Sequence, residues 1–151
     1  MPIEMLFAIL IALLVGAGFP MQAAINATIA QYHGHPLLAA FTNTSVASLV
    51  LLVAILLLRV PWPPLAGMAA APWWAWSGGA LGAFFVLSSL VLAPKLGAAA
   101  FVATTIVGTM AASLAMDHFG LIAFRQQPIT LLRLGGAVLV VTGMIMIQWK
   151  R

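Results

Sequence analysis

The sequence predicts an all-α polytopic membrane protein, a bundle of about five transmembrane helices. Of its 151 residues, 64% are hydrophobic and only 5% are charged, whereas a soluble domain carries about 25% charged residues. The apolar stretches are continuous, while the strands of a membrane β-barrel alternate apolar and polar residues. Charged residues and prolines interrupt these stretches at intervals near the roughly 20 residues that a helix needs to cross the hydrocarbon core. We therefore expect a single transmembrane domain.

Five segments are long and apolar enough to span the bilayer. They cover residues 3–29, 36–58, 73–93, 96–116 and 129–149. The connections at 31–36 and 94–96 are short turns of the kind that join antiparallel neighbouring helices.

The first segment contains Pro20 near its middle, followed by Gln22 and Asn26 one helical turn apart on the same face. The proline is compatible with a simple kink or with a bend that lines a pathway.

The second and third segments are separated by a connection that begins with Arg59 and a cluster of prolines, which cannot continue a helix. Trp73, Trp74 and Trp76 then mark the membrane interface, because an indole ring is apolar in its body and polar at its N–H.

Small residues recur at helical spacing in the third and fourth segments. The predicted packing positions are Gly78, Gly82, Thr104, Gly108 and Ala112. Such stripes let two helix backbones approach closely in lipid, so we interpret them as packing surfaces.

Three carboxamides lie at membrane depth, Gln22, Asn26 and Asn43. A helix cannot satisfy all the donors and acceptors of a carboxamide by itself, whereas Ser and Thr can bond the carbonyl one turn back. The carboxamides therefore predict either hydrogen bonds between helices or contacts with a solute. We favour solute binding, with Trp74 and Trp76 as aromatic contributors.

No acidic or basic residue lies at the centre of a span, where the ion and proton sites of pumps usually lie. Glu4 stands at the start of its helix. Asp117 is placed to form a structural ion pair with Arg133 or Arg125 around the connection between the last two helices.

The composition excludes several function classes. Cysteine is absent and the three histidines have no acidic companions at ligand spacing, so we predict no metal and no cofactor. No hydrolase, kinase or dinucleotide motif is present, so we do not expect an enzyme. The basic residues are scattered, which argues against nucleic-acid binding.

The positive charges on the two sides of the predicted bundle are balanced. One side carries Arg59, Arg125 and Arg133, and the other carries Lys95, Lys150 and Arg151. An excess of Lys and Arg normally sets orientation, so this balance predicts insertion both ways and an antiparallel homodimer. The alternative is a related five-helix partner chain that fixes the orientation.

The sequence resembles the YdcZ-like family of the drug/metabolite transporter superfamily over essentially its whole length. The matching pieces are Gly16 with Gln22 and Asn26, the tryptophan-rich stretch 71–82, 94–97, 117–120, and 133–136 with Gly143. The resemblance implies a multi-pass protein of the bacterial inner membrane, five helices per chain and an exporter that works as a dimer.

The resulting hypothesis is a transporter subunit that moves a small organic solute by alternating access around a chamber at the membrane midplane. Two alternatives remain open at this point: an antiparallel dimeric channel with a polar track, and a membrane scaffold protein without transport activity.

Overall fold

The computed structural model of the protein describes residues 3–122 and 125–149. Helices α1 and α2 span Ile3–His33 and Pro36–Leu57, and α3 is a short helix at Leu65–Ala69. A 3-10 turn at Trp73–Trp76 leads into α4 at Ser77–Leu96. Helices α5 and α6 span Ala98–Phe119 and Leu131–Gln148. No strand occurs in this described part, and five helical segments are long and apolar enough to cross a membrane, which confirms the predicted fold class.

Several helix ends differ from those predicted. Helix α1 continues to His33, four residues beyond the predicted end, and reverses only at Gly34, which has a φ of 70°. Residues 94–96, predicted as a turn, form the last turn of α4. A proline there removes one backbone donor and leaves the rest of the helix intact. The reversal occurs at Gly97, with a φ of 75°.

Helix α2 begins and ends with recognisable caps. His35 precedes it, and its Nδ1 accepts a hydrogen bond from the backbone N–H of Leu37 at 3.1 Å. At the other end, the N–H of Val60 donates to the carbonyl of Ile55 at 3.0 Å. This is a Schellman motif, in which Arg59 takes the left-handed position with a φ of 52°.

The chain divides into two compact units, and Pro20 and Pro94 lie at the boundaries between them. In the unit Met21–Pro94, a small apolar cluster is centred on Ala39, Ala40 and Leu90. The partly buried residues packed against this cluster come from α1 and α4: Ile29, Ala30, Val86 and Leu87. The alanines permit close approach of helix backbones.

The other unit comprises the described residues of Met1–Pro20 and Lys95–Arg151. Within it, α5 packs against α6. Near the end of α6, Gln148 Nε2 donates to Thr104 Oγ1 of α5 at 2.9 Å. Lys150 and Arg151, which contribute to the predicted charge balance, lie outside the described residues.

Candidate functional site

Asn26 differs from the other described polar side chains in combining burial with a missing hydrogen-bond partner. It lies on α1 in the unit Met21–Pro94, and only 3% of its surface is exposed. Its Nδ2 is buried and donates to no acceptor within the described chain. Leaving a buried donor without a partner costs about 1–3 kcal/mol, and an acceptor from a solute, a water molecule or a second subunit would remove that cost.

Two further polar residues lie on helix faces that contribute to the same unit. Asn43 is half-buried and follows Ala39 and Ala40 by one turn of α2. Ser89 of α4 is 5% exposed, and its Oγ donates to the carbonyl of Val86 at 2.7 Å. Residues three or four positions apart share a helix face. Asn26 lies four positions before Ala30, and Ser89 lies three positions after Val86. Asn26, Asn43 and Ser89 therefore lie on the helix faces that form the apolar cluster.

These three residues also lie at the same distance from a helix end. Asn26, Asn43 and Ser89 each lie seven residues from the nearest end of their helix, or about 10 Å at 1.5 Å per residue. Those ends lie on one side of the membrane if each helix crosses it once. We call Asn26, Asn43 and Ser89 the polar layer.

The other predicted solute contacts lie apart from the polar layer. Gln22 is exposed, although it stands only one turn from Asn26 on α1. Trp74 and Trp76 are also exposed. Ser89 lies thirteen positions after Trp76, about 20 Å along the helix, so the tryptophans of this unit lie too far away to belong to the polar layer.

The hydroxyl groups of α2 and α5 are mostly satisfied by their own helices. Thr42 donates to the carbonyl of Leu38 and Thr44 to that of Ala40, each at 2.9 Å. Thr104, Thr105 and Thr109 of α5 make similar bonds at 2.8 Å. These hydroxyl groups already have partners, so they are weaker candidates for solute binding than the carboxamides.

A second polar group lies where α5 leads into α6. Arg133 Nη2 is paired with Asp117 Oδ2, and their side chains are 30% and 22% exposed. Arg133 Nη1 also donates to the carbonyl of Gln127 at 3.2 Å, and the N–H of Gln127 donates to the carbonyl of Asp117 at 2.7 Å. Arg125 is exposed, and the ion pair found among the described residues does not include it.

Further bonds close this connection. His118 Nδ1 accepts from the N–H of Ile129 at 3.4 Å, and Thr130 caps α6 by accepting from the N–H of Arg133 at 3.3 Å. Gly120 adopts the left-handed conformation at the end of α5, with a φ of 59°. We call the set Asp117, His118, Gln127 and Arg133 the α5–α6 corner. Each member has a hydrogen-bond partner, which indicates a structural role.

Of the predicted packing positions, only some contact another helix among the described residues. Thr104 contacts Gln148 of α6, as described above. Gly78, Gly82 and Gly108 are exposed, and a Cβ built on any of them would meet no described atom within 4 Å. Ala112 is exposed as well. In the unit Met21–Pro94, the buried apolar contacts between helices involve Ala39 and Ala40 instead.

Sequence reasoning missed Ser89 and the corner residues His118 and Gln127. The sequence contains no signal for Ser89, because its distance from a helix end equals those of Asn26 and Asn43 only at the observed ends, His33 and Leu96, and not at the predicted ends, residues 29 and 93. The bonds of His118 and Gln127 arise from the path of the connection, for which the sequence likewise has no pattern. No cluster of residues suited to a metal ion occurs within residues 3–122 and 125–149.

These features define a class: a small polytopic helical membrane protein whose polar layer contains one buried amide donor, Asn26 Nδ2, that no described atom accepts. The model of a family described as "Putative inner membrane exporter, YdcZ" matches residues 7–146, and the chain belongs to this family. This description places the family among inner-membrane exporters of the drug/metabolite transporter type. No curated protein and no solved structure matches the chain.

Proposed function

We propose that the protein is one subunit of a dimeric carrier in a bacterial inner membrane, which exports a small organic solute by alternating access. The observation that carries this proposal is the buried Nδ2 of Asn26, which has no acceptor among the described residues. A solute that supplies the acceptor would be bound at this position and would remove the cost of the unsatisfied group.

A dimer is supported by the surfaces that the chain leaves open. Gly78, Gly82 and Gly108 lie on exposed helix faces, where each costs up to about 1 kcal/mol of helix stability relative to alanine. Close packing against a second copy would offset that cost. The balanced Lys and Arg residues favour two copies inserted in opposite directions.

Transport is tested with purified protein in liposomes and a defined pool of metabolites, containing equal numbers of neutral, cationic and anionic compounds of similar mass. We expect at least one compound to enter faster than in protein-free liposomes, with a saturable rate and counterflow against its own unlabelled form. Flux that rises linearly with concentration and shows no counterflow would indicate the channel. If no compound entered above the protein-free rate, transport would be rejected in favour of a scaffold role.

Dual insertion is tested separately by fusing an orientation reporter to the C-terminus. We expect signal from both sides of the membrane, because the charge balance provides no preference. Added lysines beside Arg59 should shift the signal toward one side, and added lysines beside Lys95 should shift it toward the other. A reporter seen on one side only would contradict the antiparallel homodimer. Transport by this chain together with a related partner chain would then still be tested by the liposome experiment.

A further inference from the structure

We infer that the transported solute is uncharged in the binding site and presents a hydrogen-bond acceptor, such as a carbonyl, hydroxyl or ether oxygen, to Asn26. This inference rests on the proposed transport function and adds to it the chemical class of the solute. It follows from the placement of charged side chains together with the unsatisfied donor in the polar layer.

Charged side chains in the described residues lie at helix ends or in connections. Glu4, Lys95, Asp117 and Arg133 lie in the first or last turn of their helices, and Arg59 and Arg125 lie in connections. The polar layer therefore contains no charged side chain, and a second copy of the same chain would bring none at that depth. An ionised solute held there would lack a counter-charge, which is strongly unfavourable away from water.

The polar layer instead offers neutral hydrogen-bonding groups. Asn26 Nδ2 supplies a donor. Ser89 Oγ already donates to the carbonyl of Val86, so its remaining capacity is to accept a bond. Asn43 is half-buried and carries both donors and acceptors. This set matches a neutral solute that has an acceptor for Asn26 and a hydroxyl or amide donor for Ser89.

The defined pool tests this inference by the charge of the compounds that enter the liposomes. We expect saturable, counterflow-competent transport of neutral compounds only. Asn26→Leu should weaken the binding of the same compounds at least tenfold, which corresponds to about 1.4 kcal/mol. Asn26→Asp places a carboxylate at the same position and should shift the preference toward cationic members of the pool at alkaline pH.

The matched control is Gln31→Leu, because it removes an exposed carboxamide from the last turns of the same helix. It should leave both the rates and the selectivity unchanged. Counterflow-competent transport of cationic or anionic compounds by the unaltered protein would overturn the inference while leaving the carrier proposal intact. Neutral transport that Asn26→Leu did not weaken would also overturn it. Absence of transport of every compound would reject the proposed function itself.

Discussion

The polar layer and the α5–α6 corner are both polar groups in an apolar chain, but they differ in how their hydrogen bonds are satisfied. At the corner, Arg133 binds both Asp117 and the carbonyl of Gln127. In the layer, Asn26 is more deeply buried than either member of that ion pair, yet its Nδ2 has no partner in residues 3–122 and 125–149. A satisfied network stabilises the fold. An unsatisfied buried donor reduces stability, and the proposed solute would supply the missing acceptor.

This comparison is tested most strongly by Asn26→Leu, which we expect to reduce transport at least tenfold without destabilising the protein. Leucine is similar in size to asparagine and removes the unsatisfied donor, so the free energy of unfolding should stay unchanged or rise by up to about 1 kcal/mol. Initial transport rates per folded molecule and unfolding in detergent measure the two quantities. Destabilisation by more than about 1 kcal/mol would show that Asn26 bonds another helix, and the contrast with the corner would be lost.

Arg133→Leu should have the opposite effects. It leaves the carboxylate of Asp117 and the carbonyl of Gln127 without their donor, so the free energy of unfolding should fall by about 1–2 kcal/mol, less than for a fully buried pair. Transport per folded molecule should be retained. The control is Arg125→Leu, which removes an equal charge from an exposed position in the same connection. If Arg133→Leu kept normal stability but lost transport, the α5–α6 corner would have a role in transport.

An effect of the same size is expected at Gly120, the glycine that ends α5. Gly120 has a φ of 59°, and a Cβ built there would lie 3.2 Å from Cβ of Gln126. Gly120→Ala should therefore lower the free energy of unfolding by about 1–2 kcal/mol. Gly16→Ala provides the contrast, because its Cβ would meet no described atom within 4 Å, and it should stabilise the helix by up to about 1 kcal/mol. Equal effects in thermal unfolding would argue against a strained cap at the corner.

The smallest effect concerns Arg59, which occupies the left-handed position at the end of α2 that glycine occupies in α5. Arg59→Gly should raise the free energy of unfolding by about 0.5–1 kcal/mol, because glycine adopts this conformation without a steric penalty. Arg59→Lys keeps the charge and the penalty and should leave stability unchanged. Equal unfolding curves for all three proteins would mean that Arg59 gains compensating contacts in the left-handed conformation.

The five membrane spans could be predicted because a span depends mainly on local composition and length. Helix ends were less predictable. Residues 94–96 contain a proline and resemble a turn, yet α4 continues to Leu96 because the reversal depends on the backbone conformation available to Gly97. Similarly, α1 extends to His33 and ends at Gly34. In both places the glycine with positive φ, rather than the nearby proline, decides where the helix stops.

The sequence by itself determined the helical class, the absence of charge from the centres of the spans and the three carboxamides that required partners. It treated Gln22, Asn26 and Asn43 as equals. Only the tertiary structure distinguished them, by leaving Gln22 exposed and burying Asn26 without an acceptor in the described part of the chain, and it added Ser89 at the same distance from a helix end. The physical reason is that burial and hydrogen-bond satisfaction depend on neighbours from other helices, which the pattern of a single helix does not specify.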